Sequence, residues 1–169
     1  MDTKEQNHAI ENARGWLASI REMVAALSPE ECPACGRWHA DPVEASDEDD
    51  TTEGGSLPRS KACDDEAAGD TEDEARETAE ERIRESALSV QVRGGWRDPG
   101  AESDGPEEAE ILLTTGGPAL RLMVELDEHA QPHRCYLQWQ DWGTPWTDHV
   151  ELGVRDDLMA FAARFYFGD

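Results

Sequence analysis

The chain has 169 residues and a formal net charge of −24, because 39 Asp and Glu face only 15 Lys and Arg. A surface this negative repels nucleic-acid phosphates and anionic membranes, so we expect the protein to bind neither directly. There is no run of about eighteen apolar residues, as a membrane-spanning helix would need. The polar start, Met1 to Glu5, also lacks the apolar segment of a secretion signal, and we therefore expect a cytoplasmic protein.

An amphipathic helix is predicted for the N-terminal segment, residues 1–29. Its apolar side chains recur every three or four residues, which places them on one face of a helix. Asp2 or Thr3 can cap the start near Thr3, and Pro29 ends the helix after Ser28. We expect this face to pack against the core. The apolar positions are Ala9, Ile10, Ala13, Trp16, Leu17, Ile20, Met23, Val24 and Leu27.

Residues 30–41 carry a cysteine motif, Cys-Pro-Ala-Cys-Gly-Arg-Trp-His, which begins at Cys32. A Cys-x-x-Cys-Gly turn is the half-site of a zinc knuckle, because it directs two thiolates at one tetrahedral centre. We therefore predict a structural zinc ion, with reduced thiols in a flexible turn as the alternative. A redox role is less favoured, since no strand is predicted before the pair. The predicted ligands are Cys32, Cys35, His39 and Cys63, with Cys135 or His133 as alternatives for the fourth.

An acidic insert follows at residues 42–70, and we expect it to be flexible because it offers almost no large apolar side chains. Residues 41–80 hold sixteen Asp and Glu against three basic residues. Acid runs are often solubilising linkers, but several-ångström spacing of negative charge also imitates a phosphate backbone. The acids that we expect to contact a basic partner are Asp47, Glu48, Asp49, Asp50, Asp64, Asp65 and Glu66 in the insert, and Glu72, Asp73, Glu74, Glu77 and Glu80 in the helix that follows.

The remainder, residues 71–169, is predicted to form an α+β core. A helix is expected from Thr71 to Ala87, and another from Asp156 or Asp157 to near Gly168. Between them, alternating apolar and polar residues predict an antiparallel meander of three to five strands whose one face is covered by helices. The expected strands are Leu88–Arg93, Ile111–Thr115, Ala119–Leu126 and Arg134–Trp142, with Trp146–Leu152 as an additional edge strand.

Three indoles lie within eight residues, at Trp139, Trp142 and Trp146. Such a cluster is either a structured loop packed on the core or an aromatic surface that binds a partner protein through Trp142 and Trp146. Asp141 is placed to accept an indole N–H or to cap the turn. A catalytic site could be assembled from Cys135, His133, His149 and Asp141, but their spacing matches no known catalytic arrangement, so we predict no enzyme activity.

Several of these segments together resemble a group of small acidic proteins encoded by bacteriophages, prophages and conjugative plasmids. The likeness covers roughly residues 9–27 and 80–168, and residues 30–75 depart from it. It implies a mobile-element gene expressed in a bacterial host cell, and no established activity. The similar segments are Glu11–Ile20, Leu88–Arg93 with Trp96, Ile111–Ala119 (ILLTTGGPA), Gln140–Thr147 (QDWGTPWT) and Phe165–Gly168 (FYFG).

Charge and resemblance together predict a non-enzymatic inhibitor of a host defence protein, of the anti-CRISPR or antirestriction type. It would act as a nucleic-acid mimic whose acids occupy the basic groove of a nucleic-acid-binding effector. The alternative is a zinc-stabilised interaction module that recognises its partner by packing through the Trp-rich loop. The two hypotheses differ in salt dependence, because only the first relies on exposed charges.

Overall fold

The computed structural model describes residues 3–32, 35–39, 68–100, 102 and 105–168. Within them lie three helices, a five-stranded antiparallel sheet and a two-stranded sheet, so the predicted α+β class is confirmed. The chain divides into two compact units: Met1–Arg21 with Ile83–Asp169, and Glu22–Arg82. Among the described residues, no helix combines the length and the apolar character needed to cross a membrane.

The first unit is built on the five-stranded sheet, a meander in which each strand pairs with the next along the chain. Short turns between successive strands produce this order, as expected for antiparallel neighbours. A bulge interrupts the pairing of the second and third strands between Leu112 and Thr114. The strands are β3 (Ser89–Arg93), β4 (Glu108–Thr114), β5 (Ala119–Leu126), β6 (Pro132–Gln140) and β7 (Thr147–Asp148).

One face of this sheet forms the core, because alternate side chains of a strand point to the same side. Ile111, Leu122 and Leu137 lie in register across three strands and are almost completely buried. Helix α3 (Arg155–Ala162) contacts β6 and contributes the fully buried Phe161. The opposite face carries mainly polar and charged residues.

Helix α1 (Thr3–Ala25) ends before the predicted Ser28, because residues after Ala25 turn through tighter hydrogen bonds. The amide of Leu27 donates to Val24 O and that of Ser28 to Ala25 O, each at 3.1 Å. In the first unit, Arg21 pairs with Glu151 and Asp157 at 3.2 Å each, which links α1 to the start of α3.

Two predicted elements at the C-terminal end are shorter in the structure. The expected strand Trp146–Leu152 is reduced to β7, which pairs only with Gln138 and Trp139 of β6. Helix α3 begins at Arg155 after Val154, so Asp156 and Asp157 lie in its first turn instead of capping it. In that position their negative charge still favours the helix N-terminus.

The second unit contains a small hairpin that the sequence did not reveal. Strands β1 (Glu30–Glu31) and β2 (Trp38–His39) pair in antiparallel register. Helix α2 (Glu72–Glu85) follows and begins with a capping box. The amide of Glu74 donates to Thr71 Oγ1 and the amide of Thr71 donates to Glu74 Oε2, both at 3.2 Å.

We expect Leu122→Ala to lower the free energy of unfolding by about 2–5 kcal/mol, because it leaves a cavity in the middle of the core face. Leu122 is 0% exposed, whereas Leu152 is 93% exposed, so Leu152→Ala is a matched control that should change the unfolding free energy by no more than about 0.5 kcal/mol. Urea unfolding followed by circular dichroism measures both. Equal losses would contradict the assignment of this sheet face as the core.

Candidate functional site

Two thiols and an imidazole meet at the turn of the β1–β2 hairpin. One ligand atom from each of Cys32, Cys35 and His39 lies within 4.8 Å of the others. Cys35 Sγ and His39 Nε2 are 3.2 Å apart. Cys32 and His39 are buried, His39 with only 4% of its surface exposed, while Cys35 is half-buried. This cluster can hold a metal ion, as the sequence predicted for these three residues.

The local backbone explains why the three side chains converge. Cys32 and His39 flank the turn at the ends of the paired strands, and the amide of Cys32 donates to Arg37 O at 2.9 Å. Gly36 donates to Cys32 O at 2.8 Å and has a φ of +69°, a conformation that glycine adopts without strain. The turn therefore folds both cysteines to one side while the strand pairing returns His39 to them.

The donor set fits a soft divalent ion. Thiolate sulfur and imidazole nitrogen are the ligands of tetrahedral zinc sites, whose bond lengths place neighbouring S and N atoms roughly 3.6 Å apart. The 3.2 Å separation of Cys35 Sγ and His39 Nε2 is within a few tenths of an ångström of that value. Cys63, the predicted fourth ligand, lies outside the described residues. His133 is exposed on β6 of the other unit, and Cys135 is buried on the core face of that sheet.

The hairpin also holds the start of α2. Trp38 and Gly69 exchange two backbone hydrogen bonds of 3.0 Å each. Arg37 donates to the carbonyl of Ala68, and its Nε lies 3.4 Å from a carboxylate oxygen of Asp70. A Cβ on Gly69 would approach the amide nitrogen of Ala75 to 2.6 Å, so only glycine permits this packing. The metal cluster and the first turn of α2 are therefore joined by short, mainly backbone contacts.

Helix α2 displays the acidic residues that the structure describes, but they differ in their contacts. Glu72 and Asp73 form ion pairs with Arg76, and Glu74 completes the capping box. Glu80 is half-buried, and the exposed Glu77 has no ion pair within the described part of the chain. Glu81, which the sequence analysis did not select, is also exposed and lies one turn after Glu77. Glu77 and Glu81 are thus the exposed carboxylates of this helix in the second unit that form no ion pair or capping contact within the described residues.

The other predicted partner-binding acids, in the insert, lie outside the described residues. They are Asp47, Glu48, Asp49, Asp50, Asp64, Asp65 and Glu66.

The three clustered indoles point in different directions. Trp139 lies on the core face and is buried, opposite Leu120. Trp146 lies under Arg121, whose guanidinium carbon is 4.1 Å from the ring centroid. Trp142 is 79% exposed. Trp139 is therefore part of the core face, whereas Trp142 is available to a partner.

The two most specific sequence motifs meet at one end of the sheet. The indole of Trp142 rests on Gly117, where a Cβ would be only 1.9 Å from the indole nitrogen. Asp141 caps this loop, accepting from the Trp142 amide at 2.8 Å, and its own amide donates to Thr144 Oγ1 at 3.1 Å. The motif residues thus build a rigid loop, and Gly117 is glycine because the indole occupies the space of its side chain.

The polar face of the sheet is balanced in charge. Arg121 pairs with Glu110 and donates to Gln138 Oε1 at 2.9 Å, and Gln138 donates to Asp148 at 2.8 Å. Arg134 pairs with Glu125 at 3.2 Å. Because acids and arginines alternate across the strands, this face does not present the continuous negative charge of a phosphate backbone.

A cleft of about 670 Å³ lies between β6 and the start of α3 in the first unit. Cys135 and His149 both line this cleft, whereas Asp141 and His133 do not. His149 Nε2 is buried and lies 3.6 Å from Glu151. Burial raises the pKa of the Cys135 thiol to about 12, so at neutral pH it is protonated and a poor nucleophile. The cleft therefore offers no activated cysteine.

We expect Cys135 to react with iodoacetamide at about pH 8 at least roughly 100-fold more slowly in the folded protein than in urea, because its thiolate is suppressed. The raised pKa also makes the free energy of unfolding depend on pH. The contribution of the Cys135 thiol is complete below a pH of 9.0, the ordinary pKa of a thiol, and it is lost as the pH rises toward about 12, because the unfolded chain then releases its proton first. Mass spectrometry of the Cys135 peptide measures the rate. Equal rates in both states would disprove the burial argument.

Searches against family models, curated proteins and solved structures returned no match for this chain. The resemblance to acidic proteins of mobile elements therefore stays a prediction that rests on the motifs.

Proposed function

We propose that the protein is a non-enzymatic inhibitor encoded by a mobile element, which uses acidic side chains to occupy the basic groove of a nucleic-acid-binding defence protein. The observation that carries this proposal is a net charge of −24 together with two exposed carboxylates of helix α2, Glu77 and Glu81, which form no ion pair with any residue that the structure describes. Carboxylates at this spacing can replace phosphates in a groove lined by Lys and Arg.

A zinc ion at Cys32, Cys35 and His39 has a structural role in this proposal. When bound, it would supply a rigid cross-link within the hairpin. The described contacts from Arg37 and Trp38 to residues 68–70 would transmit that rigidity to the capping box of α2. Ordered acids bind better than mobile ones, because less conformational entropy is lost on association. The metal would therefore strengthen partner binding without touching the partner.

We expect the purified protein to bind one equivalent of Zn²⁺, and His39→Ala to weaken binding at least about tenfold, whereas His39→Cys retains it because thiolate also ligates zinc. The affinity for zinc should decrease as the pH is lowered, since the ligands must be deprotonated to bind the metal. Competition with a chromophoric chelator measures the affinity.

Removal of zinc with a chelator should speed amide exchange at Trp38 and Gly69 and leave the sheet amides of Leu122 and Leu137 protected. Cys135→Ala is the control for thiol loss and should bind zinc normally. Unchanged exchange at Gly69 in the zinc-free protein would show that the ion does not support the start of α2.

The partner-binding proposal is tested with a charge-reversed pair, Glu77→Lys with Glu81→Lys. We expect this variant to inhibit DNA cleavage by a CRISPR or restriction nuclease at least about tenfold less well than the natural chain, because the groove then meets like charge. Inhibition by the natural chain should itself decline steeply between about 50 and 200 mM salt.

Asp98→Lys with Glu128→Lys is the matched control, since it makes the same change in net charge at exposed residues of the other unit. Equal losses in both variants would mean that net charge alone matters. Neutralisation of Asp47, Glu48, Asp49 and Asp50 to Asn or Gln tests the insert in the same assay. If neither α2 nor the insert matters, the mimicry proposal is wrong.

The second candidate function is a zinc-stabilised interaction module that binds its partner by packing. It is favoured by one observation, the exposed Trp142 held on Gly117. In that case Trp142→Ala would abolish partner binding, and binding would change little with salt.

A further inference from the structure

Strand β3 forms one edge of the five-stranded sheet, and its core-side surface is uncovered. Val90 is in register with Ile111, and Val92 with Ala109, so these side chains point to the same face as the buried core. Leu88 precedes them on that face. Ile111 and Ala109 are at most 1% exposed, whereas Leu88, Val90 and Val92 are 58%, 38% and 46% exposed.

The sequence pattern predicted a half-buried strand here, and this expectation holds for the direction of the side chains but not for their burial. The core face thus continues onto β3 as an apolar strip that water still reaches. All described backbone hydrogen bonds of residues 88–93 are made with β4 or with Glu107, the residue that precedes β4. The outer backbone row of β3 is therefore open within the described part of the chain.

This edge lacks the features that usually prevent strand addition. Residues 89–93 contain no proline and no lysine, and the β3–β4 pairing has no bulge. The one charged side chain, Arg93, is neutralised by Glu108 of the neighbouring strand. Two copies of this chain are nevertheless poor partners for each other, because each carries a net charge of −24.

The end of β3 adds a feature that selects for positive charge. A cleft of about 550 Å³ there is lined by Trp96, which is fully exposed, by Glu107, and by the ion pair of Arg93 with Glu108, so that Glu107 leaves its lining with a net negative charge. The carboxylate of Glu107 lies against the backbone of Gly95, because a Cβ added at Gly95 would be only 2.4 Å from a carboxylate oxygen. Glu107 forms no ion pair within the described residues. An indole face beside an unpaired carboxylate is suited to a Lys or Arg side chain.

We infer that β3 is a docking edge for an extended segment of a basic partner protein, which adds a sixth strand to the sheet. Apolar side chains of that segment would cover Val90 and Val92, and a basic side chain would enter the cleft at Trp96 and Glu107. Strand addition of this kind takes affinity from main-chain hydrogen bonds and specificity from alternate side chains. The inference uses none of the residues on which the proposed function rests, so it goes beyond that function and does not depend on it.

The experiment uses the full chain and a synthetic peptide of about six residues that alternates valine and lysine. We expect Val92→Lys to weaken binding of this peptide at least about tenfold, because a charge then stands in the apolar strip. Gln91→Lys adds the same charge at the neighbouring position on the opposite face, where the lysines of the peptide would lie. Both variants are therefore also compared on a valine–threonine peptide, whose affinity Gln91→Lys should change less than about threefold and Val92→Lys should weaken at least about tenfold. Isothermal titration measures both.

Two further comparisons make the outcome decisive. Glu107→Gln should weaken the valine–lysine peptide and leave a valine–threonine peptide unaffected, whereas Glu128→Gln should affect neither. A valine–glutamate peptide should not bind. Equal effects of Val92→Lys and Gln91→Lys on the valine–threonine peptide, or binding of the glutamate peptide, would overturn the inference. If Val92→Lys alters the thermal unfolding midpoint, Val92→Thr replaces it, because threonine keeps the β-branched shape and makes the strip polar.

Discussion

The antiparallel register of β3 to β6 is the constraint on which the rest of the first unit depends. It places Ala109, Ile111, Leu122 and Leu137 on one face, and that face is stable only where something apolar covers it. Helix α3 covers the β6 end through Phe161 and Leu158. At β3 the same face lacks such cover and is exposed at Val90 and Val92. A single register thus produces both the core and the open edge.

In the second unit the corresponding constraint is the hairpin turn. Strands of two residues each cannot hold themselves together, since so few hydrogen bonds do not offset the entropy of ordering the chain. Cys32, Cys35 and His39 converge at this turn, and a metal ion bound there would supply the missing energy, because metal binding to a folded site stabilises that fold. The contacts of Gly69 and Arg37 would then extend this order to the start of α2.

Sequence reasoning predicted the elements that have a strong period. The predicted and observed bounds of β5 are identical, and those of α1 and α2 agree within about three residues. The spacing of apolar residues indicates helices and strands alike, which explains this agreement. The β1–β2 hairpin was missed because two-residue strands have no period. The start of α2 was predicted at Thr71, and Thr71 is the residue that caps the helix through the capping box with Glu74. Alternation in β3 revealed which way Val90 points, but burial depends on what packs above it, and no local pattern contains that information.

The candidate site was predictable in its chemistry and less so in its geometry. The Cys-x-x-Cys-Gly motif and the following His39 predicted three candidate ligands, and the strand pairing that brings His39 back to the two cysteines is seen only in the structure. The tryptophan cluster shows the opposite case. Trp139 and Trp146 are close in sequence, yet one lies on the core face and the other contacts Arg121 of the polar face, so sequence proximity did not place them on one face of the sheet. Only Trp142 stays exposed.

Net charge and the open edge have to be considered together. An unguarded apolar edge strand normally promotes self-association, and proteins suppress it with charges or proline on the strand itself. Here the charge lies elsewhere on the chain, and mutual repulsion acts over roughly a Debye length, about 8 Å at physiological ionic strength. In the inference drawn above, the same negative charge would oppose pairing of identical copies and favour basic proteins. Acids outside the strand would then allow β3 to remain apolar, whereas lysines on the strand itself would oppose pairing with any partner.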